Sequence, residues 1–77
     1  MKEIKILGTG CPKCKTLYEN AQAAVKTAGV EAHVEKVEKI MDIIAYGAMT
    51  TPAIVVDGQI KSAGKTLSPE QIVQLIK

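Results

Sequence analysis

Apolar and polar residues alternate along this chain with two different periods, and each change of period marks the start of a new element. The apolar positions of "KEIKIL" predict a first strand. From Pro12 onward, apolar residues recur every three or four positions as far as Gly29, which is typical of a helix with a glycine at its end. "VEAHVEKV" then alternates strictly between apolar and polar residues. This segment predicts a second strand, at the edge of a sheet because its polar face is charged.

The second half of the chain continues with a helix, a hairpin and a last helix. "EKIMDIIAYGA" has the helical period and ends near Gly47. "AIVV" and "QIKSA" flank Asp57-Gly58, a strong signal for a two-residue hairpin turn. "LSPEQIVQLIK" places Ser68 as the N-cap of a final helix and Gln71 as the partner that completes a capping box.

Together these segments give the order β-α-β-α-β-β-α. The first β-α-β unit predicts a parallel pair of strands, and the hairpin adds two antiparallel strands. The expected fold is therefore α/β, with a four-stranded mixed sheet and three helices that cover both of its faces. No linker or repeat interrupts the pattern, so residues 1–77 are expected to form one domain.

Composition narrows the classes of function. The chain of 77 residues has a net charge of +2, interspersed lysines and carboxylates, and only two aromatic residues. A nucleic-acid surface would show clustered basic and aromatic residues, so we expect no nucleic-acid partner. "MKEIKILGTG" is too charged for a signal peptide, and no apolar run approaches the roughly 18 residues of a spanning helix. We therefore expect a cytoplasmic protein without a membrane partner, in a compartment that keeps thiols reduced.

The candidate chemistry lies in "GTGCPKCKTLYE", which contains the only two cysteines, Cys11 and Cys14. Cys11 is predicted to cap the first helix, and Cys14 lies one turn further in. Residues three apart on a helix share a face, with Cα atoms about 5–6 Å apart, which is within disulfide range. The positive end of the helix dipole favours a thiolate at Cys11. The pattern predicts that Cys11 is the nucleophile of disulfide exchange and that the deeper Cys14 resolves the mixed disulfide.

Two lysines, Lys13 and Lys15, lie in the first turn of the predicted helix, and no carboxylate precedes Glu19. Cations at this end oppose the helix dipole. Either the two lysines accompany an anion, the Cys11 thiolate, or their side chains are simply solvated.

"GCPKC" after the first strand and "TTP" before the third resemble the thioredoxin/glutaredoxin superfamily over essentially the whole chain. It looks especially like the minimal prokaryotic thioredoxin-like proteins known as small redox-active disulfide proteins. The resemblance implies a minimal thioredoxin-like fold, a cis peptide bond before Pro52, and contact between Thr51 and the backbone of an extended substrate. Gly10 stands where thioredoxins usually carry tryptophan, and "SAGKTLSPE" lacks the Gly-Gly-x-Asp stretch of glutathione sites.

The resemblance implies a thiol–disulfide oxidoreductase that needs no organic cofactor. Its expected partners are a disulfide-containing protein and an upstream reductase or small thiol, and the protein is expected to act as a monomer. Pro12, Lys13, Thr51 and Pro52 are the predicted substrate-binding residues. Pro52 is expected to shape the groove and to block access of metal ions to the cysteines.

The main alternative is a carrier of Cu(I) or another heavy metal, because such domains also place CxxC after the first strand. Those carriers usually have methionine where this chain has Thr9, and they follow the order β-α-β-β-α-β. Structural zinc is disfavoured because four ligands are normally needed, and the chain offers only Cys11, Cys14 and the distant His33.

Four further residues have simpler expected roles. His33 is expected to be an exposed strand residue. Met41 and Met49 are expected to fill the core. Tyr18 is expected to pack in the core, although it could instead shield the disulfide.

Overall fold

A computed structural model describes residues 2–10 and 12–76. Its elements follow the predicted order β-α-β-α-β-β-α. They are β1 (Lys2–Leu7), α1 (Pro12–Ala28), β2 (Ala32–Val37), α2 (Ile40–Ala45), β3 (Ala53–Val56), β4 (Gln59–Ala63) and α3 (Pro69–Ile76). In the described part of the chain, no helix combines the length and the apolar character needed to cross a membrane.

The four strands form one mixed sheet in the order β2-β1-β3-β4. β1 pairs in parallel with β2 and antiparallel with β3, and β3 pairs antiparallel with β4. The predicted parallel pair, the hairpin and the edge position of β2 are thus confirmed. Because β1 and β2 are parallel, their C-terminal ends meet at one end of the sheet, where Leu7 pairs with Val37 on one side and Ala53 on the other.

The alternation of side chains along the strands divides the core between the two faces of the sheet. On one face, a larger cluster packs under α1 and α3 and includes Ile4, Ile6, Leu17, Ile54 and Ile72. On the other face, a smaller cluster packs under α2 and includes Leu7, Val37, Ile43, Ala53 and Val55. Both faces are therefore covered, as the pattern predicts.

The hairpin turn and the last helix have the local geometry that their residues predict. Asp57 and Gly58 both have positive φ, 51° and 83°. These values match the type I′ turn that Asp-Gly favours in a two-residue hairpin. At the start of α3, Ser68 N–H donates to Gln71 Oε1 at 2.9 Å, and Gln71 N–H donates to Ser68 Oγ at 3.3 Å. The predicted capping box is confirmed.

The prediction that Met41 and Met49 fill the core is wrong. Met41 is 78% exposed and Met49 is 95% exposed. The reason is that α2 is only six residues long and that Ile43 is its one buried residue. The apolar residues around Ile43 therefore point away from the sheet, and Met49 lies beyond the helix in the segment that leads to β3.

Candidate active site

Cys14 occupies the first turn of α1, immediately after the loop that leaves β1. It is only 6% exposed and is disulfide-bonded. Cys11, the chain's only other cysteine and the predicted nucleophile, lies outside the described residues. Cys14 is thus buried, and its being the deeper of the two cysteines stays a prediction.

Gly8 forms the wall against which Cys14 packs. A Cβ atom built on Gly8 would collide with Cys14 Sγ and would lie 2.9 Å from Cys14 Cβ. Gly8 is held in place because its N–H donates to Val37 O at 3.0 Å, which extends the β1–β2 pairing by one residue. The absence of a side chain at Gly8 is what allows the sulfur to lie against the end of β1.

On the other side of β1, the chain enters β3 through Thr51 and Pro52. The peptide bond between them is cis, as the resemblance implies. Pro52 is fully buried, and Thr51 is exposed. Leu7 pairs with Ala53 in the antiparallel β1–β3 pair. Gly8 follows Leu7 and Pro52 precedes Ala53, so Gly8 lies beside Pro52. The Thr51–Pro52 turn and Cys14 are therefore both neighbours of the same backbone segment.

The first turn of α1 presents its predicted polar residues to solvent. Pro12, Lys13 and Lys15 are exposed, and the turn contains no acidic residue. Thr16 Oγ donates to Pro12 O at 3.0 Å, within the first turn of the helix. Whether the lysines accompany a thiolate at Cys11 stays a prediction.

Sequence reasoning missed two charged residues, Lys36 and Glu38, which lie at the end of β2. They line a pocket of about 200 Å³ together with Lys15, Cys14, Gly8 and Ile6. We call it the β2-side pocket, because β1 separates it from the Thr51–Pro52 turn. The parallel pairing of β1 and β2 contains the signal that could have found these residues, since the ends of parallel strands lie side by side.

Gly10 lies at the mouth of the β2-side pocket with a φ of +90°. A Cβ built there would lie 3.3 Å from Glu38 Oε2. The Glu38 carboxylate therefore lies beside Gly10, the residue that directly precedes Cys11 in the sequence.

His33 and Tyr18 take the simpler of their expected roles. His33 is exposed on β2, and its Nε2 lies 3.7 Å from Glu35 Oε2. Tyr18 is half-buried and packs against the larger core cluster. Its ring also lies under Lys36, whose Nζ is 4.6 Å from the ring centroid. The aromatic ring thus supports one of the charged residues of the β2-side pocket.

Within residues 2–10 and 12–76, no three histidine, cysteine or acidic side chains lie close enough together to hold a metal ion. The element order also differs from that of the copper carriers, because a helix follows β2 and another ends the chain. The fold therefore gives the metal-carrier alternative no support.

Comparison with known proteins decides the family. The family model of the thioredoxin domain matches residues 2–77. A thioredoxin of Methanothermobacter thermautotrophicus is 38% identical over 76 residues, which cover 99% of each chain. A thioredoxin of Methanocaldococcus jannaschii is 39% identical over 77 residues, 100% of this chain and 88% of the relative.

The chain belongs to the thioredoxin family. A second, probable thioredoxin of Methanothermobacter thermautotrophicus is 33% identical over 86% of this chain and 80% of the relative. The thioredoxin family carries out thiol–disulfide exchange, so this member is a thiol–disulfide oxidoreductase with the minimal version of the thioredoxin fold.

Proposed function

We propose that the single thioredoxin-like domain of residues 1–77 exchanges electrons with protein disulfides through Cys11 and Cys14. The observation that carries this proposal is the position of Cys14: buried, disulfide-bonded and packed on Gly8 in the first turn of α1. A buried sulfur there can act on a bond formed at the helix terminus but not on a large partner in solution.

In the reducing direction, the thiolate of Cys11 attacks one sulfur of the partner's disulfide, and the partner's other sulfur leaves as a thiolate. Cys14 then loses its proton and attacks the sulfur of Cys11. The bond between Cys11 and the partner breaks, the partner leaves with two reduced sulfurs, and Cys11 and Cys14 end as a disulfide. A reductase protein or a small thiol returns two electrons to this disulfide. No organic cofactor enters any of these steps.

The partner is proposed to bind across the Thr51–Pro52 turn and the exposed start of α1. Support comes from the neighbouring positions of Gly8 and Pro52 and from the exposure of Pro12, Lys13 and Thr51. In this arrangement, Thr51 aligns the backbone of an extended partner segment, while Pro52 shapes the floor of the groove. The reaction is proposed to take place in the cytoplasm, and the protein is proposed to act as a monomer.

Trapping of mixed disulfides tests the assigned roles of the two cysteines. The C14S variant should accumulate a covalent complex with oxidised insulin, because Cys11 attacks and nothing resolves the bond. The C11S variant should form none, because Cys14 is only 6% exposed. The complexes are counted by intact mass spectrometry without reductant, with the double variant C11S/C14S as control. Equal trapping by the two single variants would refute the roles.

A further inference from the structure

The β2-side pocket brings three charged side chains from two elements around one sulfur atom. Lys15 comes from the first turn of α1, and Lys36 and Glu38 come from the end of β2. Among the described residues, none of these three side chains takes part in an ion pair. Two positive charges and one negative charge are therefore free to bind a ligand beside Cys14.

The size of the β2-side pocket selects small ligands. Its volume of about 200 Å³ lies below the roughly 300–1,000 Å³ of pockets that enclose drug-sized molecules. A folded protein cannot bring a disulfide to Cys14, which is 6% exposed. A molecule with a few heavy atoms can enter, because the pocket is not enclosed and its lining residues Lys15, Lys36 and Glu38 are exposed to solvent.

The charges of the pocket match a zwitterion. The carboxylate of an amino acid would bind between Lys15 and Lys36, and its ammonium group would bind Glu38. The ring of Tyr18 lies 4.6 Å from Lys36 Nζ and favours its position by a cation–π contact, and the Glu38 carboxylate lies beside Gly10. We propose that the β2-side pocket binds a low-molecular-weight amino-acid thiol or its disulfide, of the size and charge of cysteine or cystine, and brings its sulfur to Cys14. This inference rests on the proposed function, since it names the small thiol that donates or accepts the electrons.

The chemical step balances without a further reactant. The thiolate of the bound ligand attacks Cys14 Sγ, and the disulfide bond of Cys14 breaks. Its electron pair leaves on the Cys11 sulfur, which is a good leaving group if the helix terminus stabilises it as a thiolate. A second ligand thiolate attacks the ligand sulfur, releases the ligand disulfide and leaves Cys14 as a thiolate. In the reverse direction, the Cys14 thiolate attacks the ligand disulfide.

The C11S variant isolates the reaction of Cys14 and provides the test. Folded C11S is mixed separately with cystine, cystamine, 3,3′-dithiodipropionate and 2-hydroxyethyl disulfide, and formation of the mixed disulfide is timed by intact mass. Each rate is divided by the rate of the same protein unfolded in urea, which removes the intrinsic reactivity of the disulfide. Cystine can form three weak ion pairs in the pocket, with Lys15, Lys36 and Glu38. We therefore expect this ratio to be about tenfold higher for cystine than for the neutral 2-hydroxyethyl disulfide. Equal ratios for all four compounds, or a higher ratio for the dianion than for cystine, would overturn the proposal.

Charge-neutral variants in the C11S background assign the preference to the pocket. K36Q and E38Q should each lower, by about threefold, the cystine ratio divided by the 2-hydroxyethyl disulfide ratio of the same variant. This quotient cancels any change in the reactivity of the Cys14 thiol itself. K26Q serves as the matched control, because Lys26 is an exposed lysine in the last turn of α1. A loss of preference in K26Q as large as in K36Q would overturn the assignment to the pocket.

A second measurement keeps the proposal testable if C11S does not fold. The oxidised wild-type protein is reduced by cysteine, cysteamine, 3-mercaptopropionate or 2-mercaptoethanol, each at the same thiolate concentration, and the free thiols are counted by alkylation. Cysteine should be fastest relative to the urea-unfolded protein. If no charge order is found while C14S still traps oxidised insulin, the inference fails and the proposed function stands. If C14S traps nothing, the proposed function itself fails.

Discussion

The space beside Cys14 depends on the missing side chain of Gly8. Glycine there is required by a close approach and not by backbone conformation, because Gly8 does not have a positive φ. Such a requirement is invisible in the sequence, where Gly8 and Gly10 simply suggest a turn. It becomes visible only when α1 is placed against the end of β1.

Replacing Gly8 by alanine is therefore expected to destabilise the fold. The added Cβ would push Cys14 away from β1, at a cost of about 1–3 kcal/mol in the free energy of unfolding. Urea denaturation of the reduced protein measures this cost. In the C14A background the cost should shrink but not vanish, because the colliding Sγ is gone and the Cβ of residue 14 remains. An equal cost of G8A in both backgrounds would mean that Gly8 does not pack on the sulfur.

Residue identity alone also misjudged the two methionines. Met41 and Met49 are apolar, and burial is the usual expectation for apolar residues in a chain that buries only roughly 60% of its surface. Met41 is exposed because the six-residue α2 buries only Ile43, and Met49 is exposed in the segment between α2 and β3. Lys36 and Glu38 were missed for the same kind of reason, since only the register of β2 against β1 brings them to Cys14.

The elements themselves were predictable where local chemistry specifies them. At the start of α3, the side chains of Ser68 and Gln71 each accept a hydrogen bond from the other residue's backbone N–H. The four residues 68–71 therefore determine where the helix begins. Asp57-Gly58 likewise determines the hairpin, because both residues tolerate the positive φ that the turn needs. Local signals of this kind do not depend on the rest of the fold.

Asp57 also connects the hairpin turn to β1. Glu3 N–H donates to Asp57 Oδ1 at 3.0 Å, and Asp57 N–H donates to Glu3 O at 2.8 Å. The hydrogen bond from Glu3 N–H is the main cause that lowers the pKa of the Asp57 carboxyl below its ordinary value of 3.8. The positive charge of Lys2 lowers this pKa further, by a smaller amount. A carboxyl whose pKa is lowered by folding stabilises the native state above its unfolded pKa and loses that effect as the pH falls through the folded value.

The D57N variant should therefore be less stable than the wild type at pH 7, and the difference should disappear at strongly acidic pH. Asparagine keeps the turn conformation and an acceptor for Glu3 N–H, so the variant removes mainly the charge. Urea midpoints of both proteins, measured from pH 7 down to pH 2, provide the test. A difference that stays constant over this range would show that the charge of Asp57 is not the cause.

At the scale of the whole molecule, the two faces of the sheet are unequal. α1 has 17 residues and packs with α3 on the larger cluster, whereas α2 has six residues and contributes one buried side chain to the smaller cluster. α2 also leads into the segment that ends at Thr51 and Pro52. The sequence predicts both helices by their period, but it does not indicate how unequally they are anchored.

This asymmetry predicts that α2 opens without global unfolding. A helix far shorter than about 12–15 residues is marginal alone, and Ile43 is the only residue of α2 that is buried on the sheet. For 77 residues, the global free energy of unfolding is expected to be about 4–12 kcal/mol. Amides of the α2 region, those of Ile43, Tyr46 and Ala48, should exchange with solvent at a free energy at least about 2 kcal/mol lower than those of Leu17 and Ala21.

Native-state hydrogen exchange followed by NMR measures these opening free energies residue by residue. Low concentrations of urea separate the two kinds of opening, because local opening exposes little surface and global unfolding exposes much. The α2 amides should respond weakly to urea, and the α1 amides should respond with the slope of global unfolding. If both sets of amides exchange at one free energy and with one slope, α2 is as firmly anchored as α1, and the inequality of the two faces has no energetic consequence.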